Sequence, residues 1–146
     1  MAAPKRSVVV AESADKPYGQ TVTIGPHTLS ADEGEALGGH DVGPSPYEYV
    51  LAGLGACTAM TLRMYSDRHG WPLEKTTVEV RHKVVVGSDG KTATDRFERV
   101  IRIEGDLTDE QRAELLTIAD HCPVSRTLQR ASTIVNVLAE APGRRA

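Results

Sequence analysis

The feature that most constrains this chain is the stretch from Ser45 to Gly70. Ser45-Pro46-Tyr47-Glu48 places Ser at an N-cap, Pro at the first helical position and Glu three residues after the cap, which is a capping box with the preferred proline. Gly70 supplies a C-terminal stop and Pro72 prevents continuation. The intervening residues, Pro46 to His69, predict one helix of about 24 residues, which at ~1.5 Å per residue is roughly 36 Å long. Its middle, Val50 to Leu62, is apolar or small all round, so it should be enclosed on several sides. Ala52, Gly53, Gly55, Ala56 and Ala59 allow other backbones to approach closely. Each glycine costs up to about 1 kcal/mol against Ala in an exposed helix, and close packing is the expected compensation. With 146 residues, the chain is short for wrapping such a helix alone, and a partner subunit is expected to cover part of it.

The rest of the sequence supplies sheets. Ser7–Ala14, Gln20–Ile24 and His27–Ala31 read as strands, the last two joined by the Gly25-Pro26 turn. Asp32–Gly43, with four glycines, reads as a loop long enough to suspect function. Thr76–Val86 and Arg96–Glu104 read as a strand pair around a turn at Gly87–Gly90. Asp106–Ala119 is an amphipathic helix that Thr108 can cap. Cys122-Pro123 starts a short helix, and Ser132–Leu138 reads as a last strand. About six strands and three helices, segregated rather than alternating, predict an α+β domain spanning residues 1–146.

Composition narrows the function. The chain carries 17 basic and 20 acidic residues, with one Phe and one Trp. There is no basic stripe or stacking platform, so nucleic acid is not an expected partner. The uncharged run from Tyr49 to Leu62 falls short of the ~18 residues of a membrane span. Lys5 and Arg6 precede only four apolar residues, too few for a signal-peptide core. A soluble, cytoplasmic protein is expected, in which cysteines are more often reactive thiols than permanent staples. A mass of 15.7 kDa corresponds to roughly 7,000 Å² of accessible surface for a folded monomer.

The two cysteines are Cys57 and Cys122. Cys57 lies in the most apolar stretch and reads either as a buried structural thiol or as a reactive one. Cys122 opens a helix, where a thiol pKa is lowered. There is no C-x-x-C motif. His40, His121, Cys57 and Cys122 do not have a spacing that demands zinc, so neither metal nor cofactor is expected. Burial would raise the Cys57 pKa, and its mid-helix position gains little from the dipole, so reactivity there requires a nearby cation. At ~4 Å and an effective dielectric of ~20, one guanidinium is worth about 4 kcal/mol. Arg126, four residues after Cys122, is the first candidate; Arg63, Arg81 and Arg6 follow.

Gly43-Pro44-Ser45-Pro46-Tyr47-Glu48, running into Leu51-Ala52-Gly53-Leu54-Gly55-Ala56-Cys57-Thr58 and followed much later by Cys122-Pro123-Val124, resembles the OsmC/Ohr family of osmotically inducible and organic-hydroperoxide-resistance proteins. The resemblance covers nearly the whole chain. It implies antiparallel sheets around a long central helix in an intertwined homodimer, with active sites at the dimer interface. It also implies thiol-dependent reduction of organic hydroperoxides. Cys57 would become a sulfenic acid and Cys122 would resolve it to a disulfide. A dithiol reductant, a lipoylated protein or thioredoxin, would restore both. Tyr47, Leu54 and Met60 are the substrate contacts this reading expects, the apolar lining suiting a bulky hydroperoxide. In the family's peroxidases a Glu ten residues before the first cysteine binds an activating Arg. Here that position is Tyr47, and Glu48 is nine before, half a turn away. The alternative is a non-catalytic member of the fold that binds a small ligand or serves a structural role.

Overall fold

The computed structural model describes residues 6–139. Three short strands, β1 (Val9–Glu12), β2 (Gln20–Ile24) and β3 (His27–Ala31), form an antiparallel meander in that order. Gly25 takes a left-handed conformation (φ 57°) at the β2–β3 turn, which glycine adopts without steric cost. The following loop is organised by Asp32. Its carboxylate accepts backbone N–H groups of Glu33, His40 and Val42. Burial pushes the Asp32 pKa up, and these three bonds outweigh it to leave the pKa below the ordinary value. The glycine-rich segment is thus shaped by one buried acid.

Helix α1 (Pro46–His69) follows, with the Ser45–Glu48 capping box formed and Gly70 left-handed at its end. A long antiparallel ribbon comes next, β4 (Leu73–Val86) and β5 (Ala93–Gly105). Its turn is held by Asp89, which accepts N–H groups of Lys91 and Thr92 and the Thr92 hydroxyl. Helix α2 (Asp109–Ile118) is capped by Thr108 in a second capping box with Gln111. A single 3-10 turn over Ala119–His121 leads to α3 (Pro123–Gln129).

The architecture is α+β, and the main core lies where α1, the ribbon and α2 meet. Leu62, Leu73, Leu107, Leu115 and Ala119 are buried there, flanked by Tyr65, Trp71, Ile101, Ile103 and Ile118. Arg63 fastens α1 to the start of β4 by donating to the carbonyls of Leu73 (2.6 Å) and Glu74 (3.0 Å).

Two expectations change. Residues 132–138 do not form a strand: they are irregular, and Ile134, Val135, Val137 and Leu138 are exposed. A strand needs a ladder partner, and no described strand of this chain pairs with the segment. Nor is α1 enclosed on several sides by its own chain. It buries a single stripe, Leu54, Thr58, Leu62 and Ser66. Gly53, Ala56, Met60 and Met64, one turn apart on another face, are exposed. No helix among the described residues is long and apolar enough to cross a membrane.

Candidate functional site

Cys57 projects from the middle of α1, one residue before the buried stripe position Thr58. Cys122 is the N-cap of α3; its sulfur accepts the N–H of Ser125 at 3.5 Å, and Pro123 follows at the first helical position. The packing of α1 against the 3-10 turn and α3 brings the two cysteines together. Both are free thiols, Cys57 half-buried and Cys122 fully buried. Each lies close enough to shift the other's ionisation. Residues sixty-five positions apart in the sequence are thus neighbours in the fold.

The environment separates the two thiols. Burial raises the Cys57 pKa, and the neighbouring Cys122 raises it further; the Val124 N–H and Thr61 hydroxyl act the other way without offsetting this. Burial pushes Cys122 upward too. There, however, hydrogen bonds from Cys57, the Ser125 N–H, the Thr58 hydroxyl and the Val124 N–H prevail, and its pKa falls below the ordinary value.

Behind the pair stands Arg99 of β5. Its Nη1 donates to Thr58 Oγ1 (3.1 Å) and to the Ala119 carbonyl (2.9 Å), and its Nη2 pairs with Asp120 (3.0 Å). The guanidinium joins the ribbon to α1 and to the turn that delivers Cys122. A groove of about 720 Å³ opens beside it, with Leu54, Phe97, Ser125 and Leu128 in its walls.

The cationic candidates from sequence lie elsewhere or face outward. Arg126 is exposed on α3. Arg63 is committed to backbone carbonyls, Arg81 pairs with Glu79 and Glu98, and Arg6 lies against Gly25. Arg99 was legible: it sits in phase with Phe97, Ile101 and Ile103, on the face of β5 that turns inward. A charge in an apolar phase needs a partner inside.

The remaining candidates spread over several places. Glu48 is exposed and accepts the Ser45 N–H at 2.9 Å, which lowers its pKa; its carboxylate is occupied with the helix cap. Tyr47 stacks on His82 with ring centroids 4.7 Å apart, and His82 in turn packs against Phe97. Leu54 is buried, and its carbonyl accepts the Thr58 hydroxyl at 2.7 Å. Met60 lines a separate groove of about 550 Å³ with Met64, Arg63 and Thr76. Among the described residues no three His, Cys, Asp or Glu side chains converge as a metal site would require.

Comparison with known proteins returns the same architecture. The family model described as OsmC-like protein matches residues 38–137. No curated protein matches the chain significantly. Among solved structures, an OsmC-like protein from Mycoplasma pneumoniae superposes with a TM-score of 0.71 at 17% identity, over 88% of this chain and 89% of that one. An organic hydroperoxide resistance protein OsmC from Legionella pneumophila gives a TM-score of 0.67 at 17% identity, over 88% and 92%. OhrB, the organic hydroperoxide resistance protein of Bacillus subtilis, gives 0.61 at 18% identity, over 86% and 91%. At these identities the likeness is one of fold.

Proposed function

Because the chain belongs to the OsmC-like family, we propose that it is a thiol peroxidase that reduces organic hydroperoxides, with Cys57 as the attacking thiol and Cys122 as the resolving one. The observation that carries this reading is the packing of α1 against the turn before α3, which sets a half-buried Cys57 beside a buried Cys122. Two of the structural relatives are named for organic hydroperoxide resistance.

The chemistry follows from the pair. The Cys122 anion takes the proton of Cys57 as the Cys57 sulfur attacks the terminal peroxide oxygen. An S–O bond forms, the O–O bond breaks, and the departing alkoxide takes the proton back from Cys122 to leave as an alcohol. The regenerated Cys122 anion then attacks the sulfenic sulfur of Cys57. Hydroxide leaves and takes a proton from solvent to become water, and a disulfide closes. An external dithiol, such as a lipoylated protein or thioredoxin, returns both thiols by exchange. Solvent reaches Cys57 and not Cys122, which fits these roles.

The working form in this reading is a cytoplasmic homodimer. The exposed Gly53–Ala56–Met60–Met64 stripe and the unpaired segment 132–138 are the surfaces such a partner would cover.

One observation favours a second reading. The Cys57 pKa is pushed up rather than down, as suits a non-catalytic protein holding a small apolar ligand. Mixing the reduced protein with cumene hydroperoxide decides between them. The peroxidase consumes one equivalent of peroxide and loses two thiols, and Cys57→Ser abolishes both. Peroxide loss that survives Cys57→Ser removes the assigned nucleophile, and no peroxide loss at all leaves the ligand-binding reading.

A further inference from the structure

Helix α1 packs against the 3-10 turn and α3, and Thr58 on the helix and Ala119 and Cys122 across from it are fully buried. Arg99 enters this seam from β5 with a side chain only 14% exposed. Both hydrogens of its Nη1 are used there, one on Thr58 Oγ1 (3.1 Å) and one on the Ala119 carbonyl (2.9 Å). Each end of that bridge is one step from a cysteine. Thr58 follows Cys57 in the helix, and its own proton goes to the Leu54 carbonyl (2.7 Å), which turns a lone pair of its oxygen toward the guanidinium. The Ala119 carbonyl also accepts the Cys122 N–H (3.3 Å). One NH2 group therefore sets how far the Cys57 turn of α1 stands from the backbone that carries Cys122. Asp120 takes Nη2 at 3.0 Å from the solvent side. Among the described residues no other side chain hydrogen-bonds to both α1 and this turn.

We propose that Arg99 is a positioning residue that holds the Cys57 turn of α1 and the Cys122 backbone at disulfide-forming separation. Its use rests on the peroxidase reading, in which Cys122 must close on Cys57 in every turnover. The physical basis is proximity: two groups already held in register react without first paying to order their surroundings. Without the guanidinium, the buried Thr58 oxygen and Ala119 carbonyl lose a charged donor. The reduced protein can then relax by letting the turn move off the helix. The oxidised protein, with its sulfurs bonded, cannot. Loss of Arg99 therefore costs the oxidised form more than the reduced one, and by linkage the effective concentration of the two thiols falls.

The test equilibrates the full chain with glutathione and glutathione disulfide and counts free thiols by alkylation and mass spectrometry. Cys57 attacks glutathione disulfide, and one glutathione leaves with the Cys57 proton. Cys122 then attacks the Cys57 sulfur of the mixed disulfide, and the second glutathione leaves with the Cys122 proton. The equilibrium constant has units of concentration and reads the pairing of the two thiols directly. Arg99→Met is expected to lower it roughly tenfold, the scale of one charge-assisted hydrogen bond, with Arg99→Lys restoring part of the loss. Thr58→Val should lower it too, while Thr58→Ser keeps the oxygen and leaves it in place. The rate of closure should fall in Arg99→Met with its pH profile unmoved. An unchanged equilibrium constant, with the melting temperature lowered equally in both redox forms, reduces Arg99 to a general brace of the fold and overturns the proposal. A displaced pH profile reassigns Arg99 to the ionisation of a thiol and overturns it as well, as does a wild-type pair that forms no disulfide. The equilibrium needs no peroxide. A tenfold fall in a protein that consumes no cumene hydroperoxide upholds the positioning role and sinks the peroxidase, and peroxide consumption with an unmoved equilibrium does the reverse.

Discussion

Oxidising the Cys57–Cys122 pair should stabilise the folded chain by about 3 kcal/mol. A cross-link between residues sixty-five positions apart removes loop-closure entropy from the unfolded ensemble worth about 4 kcal/mol at 25 °C in the chain-entropy model. The native state resists little. The thiols already lie within range of each other's charge, so closing a disulfide is expected to need side-chain movement more than backbone movement. Allowing about 1 kcal/mol for off-rotamer χ angles leaves about 3. For a domain of this size that is about 6–12 °C in melting temperature. The assay is urea and thermal unfolding of diamide-oxidised and dithiothreitol-reduced protein at equal protein concentration, since a dimer's stability depends on it. The Cys57→Ser/Cys122→Ser double variant serves as a control that should not respond to redox state. An oxidised form that gains less than about 1 kcal/mol, or loses stability, would show that closing the bond strains the fold, and the preorganised pair would have to be abandoned.

Leu62→Ala should cost about 2–5 kcal/mol by leaving a cavity among Leu73, Leu107 and Leu115, measured by urea unfolding. Met64→Glu puts a charge on the exposed stripe of α1 and is expected to shift a dimer to monomer in sedimentation equilibrium. The desolvation cost is several kcal/mol per buried ion, and a wild-type protein that sediments as a monomer at micromolar concentration would remove the dimer. The Asp89 pKa is lowered from 3.8 to about 2 by the Thr92 hydroxyl and backbone N–H groups. Its contribution to stability is therefore present above pH 3.8 and lost as the pH falls through about 2. Asp89→Asn should make unfolding less sensitive to acid over that window.

The local signals were strong where the chemistry was local. Ser45, Pro46, Glu48 and Gly70 fix the ends of α1 because capping is decided within four residues. Thr108 and Gly25 act at the same range. The reading of 132–138 as a strand failed for the opposite reason. Alternation reports a chain's capacity to pair, and pairing needs a partner backbone that the described chain does not offer. Asp32 shows the same limit, since its role as the centre of a glycine-rich loop depends on N–H groups eight and ten residues away.

The long capped helix, the α+β succession of elements and two cysteines in distinct local settings follow from residue order. That the two cysteines become neighbours, and that Arg99 ties α1 to the turn before Cys122, follows from how the elements pack. Capping and strand phase arise from neighbours along the chain. A thiol's ionisation depends on what is packed around it, and Arg99, Thr58 and the Ala119 carbonyl meet only because β5, α1 and the turn before α3 close on one another.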